Sequence, residues 1–323
     1  MKPVVLVTAI GTNASTTIIT QLKKKNNYHI IGTDIYKPDW IATYNDVDEF
    51  YNFPSSIENL NKFIDFTVDF CKEHNVNYYF ATIDEEIANL SKNRKKFEEI
   101  NVKLCIPNHD LIMTCHYKDR FSDWISQNIP DIAIKRYFSF DEINDNDFPI
   151  FLKPVEGRAS IGCRKIENRA GLQELQTEGS FRDGYLIQKF VEGEIITVDL
   201  VRNAKTGQKL QIQRVEHIRN SSGCGIAVEI IHEETLAEIC DKLMEKLELN
   251  GVVNAEFIRN DDEYKIIEIN PRFSAGSSFS CLAGSDIVSD ALYIADGISC
   301  KFNDPLIGLH LAKRYETYII HQR

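Results

Sequence analysis

Two short apolar runs near the C-terminal end constrain this chain more than any other feature. Val252–Ile258 and Tyr264–Ile269 are rich in Val, Ile, Phe and Tyr, and the polar run Arg259-Asn260-Asp261-Asp262-Glu263 separates them. That pattern predicts the two antiparallel strands of one hairpin. Side chains alternate faces along a strand, so Asn254 and Glu256 share a face of the first strand, and Glu268 and Asn270 share a face of the second. With Asp261 to Glu263 as a three-residue loop, Glu256 falls directly opposite Glu268. Directly opposed residues have Cβ atoms about 4.5–5.5 Å apart, where two like charges destabilise the pair. A cation between them removes the conflict. Magnesium suits the place, because it uses few protein carboxylates and completes its shell with phosphate oxygens. The competing reading is an exposed hairpin edge with scattered acids. Arg272, just past Pro271, weighs against it: a fixed guanidinium beside bound metal is what phosphoryl transfer needs to neutralise developing charge.

The rest of the chain can support such a site. With 323 residues and 43% hydrophobic content, it has material for two or three packed units. Its 37 basic and 48 acidic residues give a net charge of −11, which disfavours a broad nucleic-acid or anionic-membrane footprint. Any anion site must therefore be local. Met1-Lys2-Pro3 leads straight into an apolar run, Val4 to Ile10, that is too short to span a bilayer; it reads as a first strand, and a cytoplasmic location is expected. The eight cysteines show no Cys-x-x-Cys pair or metal-finger spacing and read as reduced structural thiols. Cys224, between Gly223 and Gly225, is the one most suggestive of a nucleophile.

Over the first hundred residues, short apolar runs (Val4 to Ala9, Tyr28 to Gly32, Tyr78 to Ala81, Val102 to Ile106) alternate with helical patterns, as parallel βαβ units do. Gly11-Thr12-Asn13-Ala14-Ser15-Thr16, with Asp34 ending the second strand, superficially resembles a dinucleotide fingerprint. Asn13 and Thr16 stand where its second and third glycines belong, so an NAD-type oxidoreductase is a weaker alternative. Asp84-Glu85-Glu86 reads first as a helix cap with acids in the first turn, and second as a ligand-facing group at a strand's carboxyl end.

After residue 111 the pattern changes. A polar helix around Lys118 to Gln127 precedes strands at Ala133 to Tyr137, Ile150 to Lys153, Cys163 to Ile166 and Tyr185 to Phe190; a closing strand is expected at Gly308 to Tyr318. Lys153 ends a short apolar strand and precedes Glu156-Gly157-Arg158-Ala159-Ser160-Ile161-Gly162, a loop whose free amides can cradle a polyphosphate. Gln188-Lys189-Phe190-Val191, before Gly193, reads as a strand stopping at a turn whose backbone groups can meet an adenine edge.

These pieces, in this order, resemble the ATP-grasp superfamily over essentially the whole chain, and its carbamoyl-phosphate-synthetase-like carboxylate–amine ligases in particular. The resemblance implies an α/β and α+β fold: a Rossmann-like pre-ATP-grasp domain at 1–110, a lid subdomain at 111–187 and an ATP- and magnesium-binding subdomain at 188–323. It implies that Lys118 and Lys153 contact phosphates and that the loop containing Ser160 covers them. Gln188, Lys189 and Val191 would meet adenine. Glu256, Glu268 and Asn270 would hold Mg2+ or Mn2+, with Arg272 on the transferring phosphate. The family's usual ribose-binding position is Ile195 here, so Glu194 or Glu192 is expected to take over.

The implied chemistry is phosphorylation of a carboxylate by ATP and attack of an amine on the acyl phosphate, with Arg272 and Lys153 catalytic and with small-molecule acid and amine as partners. The acceptor pocket is expected near Arg272 to Ser278, with Arg214, His217 and Arg219 as further candidates. Phosphorylation of a carboxylate or carbamate without ligation is the alternative, and a silent ATP-binding regulator is disfavoured by the intact acid set. Many members of the family dimerise, which makes a homodimer compatible with the sequence.

Overall fold

The computed structural model describes residues 2–157, 161–177 and 184–320. The chain forms three sheets in succession. The first is parallel: β1 (Val4–Val7), β2 (His29–Asp34), β3 (Glu49–Asn52), β4 (Val76–Phe80) and β5 (Lys103–Leu104), in the order β3-β2-β1-β4-β5. Helices α1 (Asn13–Lys25), α2 (Leu60–Glu73), α3 (Asp84–Lys92) and α4 (Arg94–Glu98) lie between its strands. Helices α5 (His109–His116) and α6 (Lys118–Asn128) then lead to a small sheet. This comprises β6 (Arg136–Tyr137), β7 (Ile150–Pro154), β8 (Arg164–Ile166) and β9 (Tyr185–Lys189), ordered β6-β9-β7-β8, with α7 (Arg169–Thr177).

The third sheet is large and antiparallel. Its strands are β10 (Glu194–Arg202), β11 (Lys209–Arg219), β12 (Gly225–Ile231), β13 (Gly251–Asn260), β14 (Glu263–Asn270) and β15 (His310–Ala312), ordered β14-β13-β10-β11-β12-β15. Helices α8 (Glu234–Lys246), α9 (Ser277–Leu282) and α10 (Ile287–Asp296) complete it.

Alternation along the long strands sorts this sheet's faces. Ile196, Val198, Leu200, Val253, Ala255 and Phe257 pack with Leu236, Cys240 and Leu243 of α8. On the opposite face, Val201, Ile212 and Val252 share a core with Ile18 of α1, Phe80 of β4 and Leu292 of α10, which joins the first and third sheets. Burying each such side chain is worth roughly 1.5–3 kcal/mol. The small sheet has its own cluster, built on Tyr137, Ile150, Leu152, Leu172, Leu175 and Ile187.

The closing strand is shorter than expected. It runs only from His310 to Ala312, opposite Glu229, Val228 and Ala227, and the Lys313 amide donates to the Ile226 carbonyl just past it. All eight cysteines are free thiols. Among the described residues, no helix is long and apolar enough to cross a membrane.

Candidate active site

The carboxyl ends of the first sheet, the polar face of the large sheet and the small sheet converge on one cleft. Two cavities of about 450 and 380 Å³ meet there, and Lys118, Gly157, Glu256 and Glu268 line both. A 510 Å³ cavity around Arg94, Leu104 and Asn250 holds none of the predicted site residues.

Two polar rows cross the large sheet. Asp199, Asn254 and Asn270 are opposed in one, and Arg214, Thr197, Glu256 and Glu268 in the other. Glu256 does face Glu268, but by another route than the expected three-residue loop. The turn holds only Asp261 and Asp262, with Asn260 opposite Glu263, and a bulge at Ile267 then shifts the register so that Glu256 meets Glu268. Asp261 takes φ 51°, a left-handed conformation that Asp tolerates in tight turns. The bulge also switches side-chain parity: Tyr264, Ile266 and Ile269 all join the core beside α8, while Glu268 and Asn270 line the cleft.

Burial and the opposed Glu268 push the Glu256 carboxyl up to about 7, against the pull of Arg219. The Arg219 Nη2 donates to Glu256 Oε2 at 2.7 Å. Lys153 on β7 is buried, and its Nζ donates to the carbonyl of the bulged Ile267 at 3.0 Å. Burial lowers the pKa of this ammonium, with Glu268 opposing the shift. Lys118 opens α6, and its Nζ donates to the Gly157 carbonyl at 2.7 Å.

Arg272 is held bidentately, Nε to Asp84 Oδ1 at 2.6 Å and Nη2 to Asp84 Oδ2 at 2.9 Å, and Nη2 also reaches Asn270 Oδ1 at 3.3 Å. The expected capping role of Asp84 is thereby overturned. The cap position of α3 is Ile83, with no side-chain capping bond, and the Asp84 carboxylate ties the first sheet to the hairpin instead. Asp34, which a dinucleotide reading would place on a ribose, accepts from the Gly11 amide at 3.0 Å and the Tyr36 amide at 3.1 Å; it holds its own loop.

The second cavity is lined by Gln188, Lys189, Val191, Glu192 and Ile195, together with Lys153. The Lys189 amide donates to the Lys135 carbonyl at 2.9 Å and its ammonium to the Asp147 carbonyl at 2.8 Å, so neither faces the cavity as a free donor. Gln188 is buried, with its amide nitrogen 3.5 Å from Ser122 Oγ. The expectation for Glu194 is corrected: it is ion-paired with Arg259 and absent from the lining, because alternation along β10 turns Ile195 inward and Glu194 away. Glu192 stays at the cavity. Ser160 lies outside the described residues.

In the first cavity, Ser274, Ala275 and Gly276 face Thr12 and Asn13 at the start of α1. Ser277 instead accepts from the Ser274 amide at 3.0 Å. Gly276 is required by close approach, since a Cβ there would lie 2.6 Å from Arg214 Nη2. Arg214 is fully buried and donates to Asp199 Oδ2 at 2.9 Å, a supporting position. His217 is absent from the lining of both cavities and pairs with Glu229. Sequence reasoning misses the Asp84–Arg272 pair and Lys313, whose Nζ donates to the Ala275 carbonyl at 2.5 Å; with partners 188 and 38 positions apart, neither leaves a local signal.

Comparison with known proteins places both halves of the chain. Residues 115–276 match the ATP-grasp domain, and residues 5–105 match the PylC-like, N-terminal domain. A 3-methyl-D-ornithine–L-lysine ligase of Methanosarcina mazei is 28% identical over 125 residues, covering 39% of this chain and 32% of that protein. A carbamoyl phosphate synthase large chain of Clostridium acetobutylicum is 25% identical, covering 70% of this chain and 22% of that one. The chain thus spans a third or less of the length of these two relatives. In fold it is similar to a biotin carboxylase of Campylobacter jejuni, with a TM-score of 0.71 at 16% identity over 95% of this chain and 74% of that one.

Proposed function

The chain belongs to the ATP-grasp family, and on that premise we propose that it is an ATP-dependent, ADP-forming ligase that activates a small-molecule carboxylate as an acyl phosphate and joins it to an amine. The observation that carries this reading is the opposition of Glu256 and Glu268, with Asn270 beside them and Lys153 anchored on the intervening bulge. The donor set fits a hard dication. It is all oxygen, and a carboxyl pushed up to about 7 by burial and a like-charged neighbour marks a site short of positive charge. Glu256, Glu268 and Asn270 are the residues that would hold Mg2+ or Mn2+, whose chemistry when bound is to draw charge from the phosphate oxygens of ATP.

The protein's own groups supply the rest. Lys118 and Lys153 present fixed positive charge to the polyphosphate, and each can exchange its present carbonyl partner for a phosphate oxygen. Arg272, oriented by Asp84, stabilises charge on the phosphoryl group in transfer. The base and sugar fill the cavity bounded by Gln188, Val191, Glu192 and Ile195. The acid lies against Ser274, Ala275 and Gly276, next to the amides that open α1.

The relatives named as ligases support an amine as the final nucleophile. The test is ADP release from Mg-ATP across pairs of amino acids and simple amines, with Glu268→Ala as control. Release that needs both acid and amine is expected. Equal release with acid alone would shift the reading to phosphorylation without ligation, and an unaffected Glu268→Ala variant would overturn the site.

A further inference from the structure

At the opposite edge of the large sheet, three strands bring His217, Glu229 and His310 together, with one ligand atom of each lying within 4.8 Å of the others. We propose that they form a second metal site, for a zinc-class dication, separate from the oxygen-donor site of the cleft. The backbone builds the cluster. Glu229 on β12 stands directly opposite His310 on β15, and its other neighbour is Val215 on β11, two residues before His217. His217 falls where the β11–β12 register shifts between Glu216 and Ile218.

The two Glu229 oxygens are shared between the imidazoles. His217 Nε2 lies 3.3 Å from Oε2 and His310 Nε2 lies 3.9 Å from Oε1. The rings are nearly parallel, 19° apart, with centroids separated by 6.2 Å. Zinc bonds of about 2.0–2.2 Å in tetrahedral geometry put ligand atoms about 3.3–3.5 Å apart. The first pair already has that spacing, and the third ligand atom lies within 4.8 Å of both. Two imidazoles and one carboxylate form a set that favours zinc-class ions over magnesium. Side-chain exposures of 44%, 32% and 70% leave the remaining coordination position open to water or a small ligand. Without a metal, contacts of this exposure stabilise the fold very little.

The placement gives the site a consequence. β15 has only three residues, and the residue after it, Lys313, reaches Ala275 in the acceptor cavity. An ion on His310 would cross-link that short strand to β11 and β12 and steady the lysine beside the cleft.

The test is zinc titration of the whole protein, by competition with a chromophoric chelator, in millimolar Mg2+ to keep the oxygen-donor site filled. Wild type is compared with His217→Ala and His310→Ala, both at exposed positions. One zinc bound with a dissociation constant below about 100 µM, weakened at least about tenfold in each variant, is expected. Weaker binding, or binding unchanged in both variants, would overturn the proposal. Cobalt(II) substitution guards against capture by the free thiols. Visible bands lost in His310→Ala support the site, whereas thiolate-to-metal charge transfer that persists in both variants places the ion on cysteine and refutes it.

Discussion

In the large sheet the acids are met by neighbouring side chains, Asp199 by Asn254 and Glu256 by Arg219, whereas Lys153 of the small sheet and Lys118 of the helix leading to it rest on peptide carbonyls. Their cores differ in the same sense. The large sheet packs on both α8 and the first sheet, while the small sheet is organised around a separate cluster. The acids therefore sit on a framework anchored on both faces, and their mutual repulsion is built in. The lysines make neutral contacts that anionic oxygens can replace without leaving a charge stranded. One side of the cleft is pre-shaped; the other is exchangeable.

Substitutions can break that comparison, and the most damaging should be those that remove a charge from either side. Glu268→Ala and Lys153→Met are each expected to lower kcat/KM for ATP turnover by about 10²–10³-fold. Their effects on stability should part company. Glu268→Ala removes a like-charged neighbour from buried Glu256, so its thermal midpoint should hold or rise; a large fall would show that the pair is structural rather than poised for a cation. Arg272→Lys comes next, at about 10–10²-fold, because an ammonium cannot reproduce the two parallel bonds to Asp84. Turnover equal to wild type would argue that this fork does not position the guanidinium for chemistry.

A pH titration sharpens the contrast further. The folded Glu256 carboxyl titrates near 7, above its ordinary 4.5, so its contribution to stability is full below about 4.5 and is lost as pH rises through about 7. The ligand-free protein should thus lose thermal stability across that window, less steeply in Glu256→Gln and less steeply with Mg-nucleotide. Buried Glu86, also pushed up to about 7 by desolvation, adds a background slope that remains in Glu256→Gln. Identical slopes in the two proteins would remove Glu256 from the account. The smallest effect belongs to Glu194→Ala. An exposed ion pair is worth about 0–1 kcal/mol, so KM for ATP should move less than about twofold, and Glu192→Ala should move it more.

What the sequence discloses about this site is what strand periodicity encodes. The face shared by Asn254 and Glu256, and that shared by Glu268 and Asn270, follow from alternation, as does the apolar stripe that seats α8. The alternation of strands and helices in the first hundred residues likewise anticipates the parallel sheet. The bulge at Ile267 was not legible, because tertiary packing of Tyr264, Ile266 and Ile269 on one core selects it. The expected opposition of Glu256 and Glu268 holds through a two-residue turn and a bulge in place of the three-residue loop. Asp84 looked like a cap because acids in a first helical turn commonly are; its distant partner Arg272 has no sequence signature. Glu194 is expected at the ribose, with Glu192, because Ile195 occupies the family's usual position, yet parity along β10 hands that side to Ile195 and turns Glu194 away.

The extra residue at Ile267 has an engineering consequence. Deleting Ile267 leaves Phe257 opposite Ile266 and brings Glu268 next in line opposite Glu256, so the acidic pair survives the edit. What disappears is the carbonyl on which Lys153 rests. Removing the bulge is thus a way to uncouple the acidic half of the cleft from the basic half.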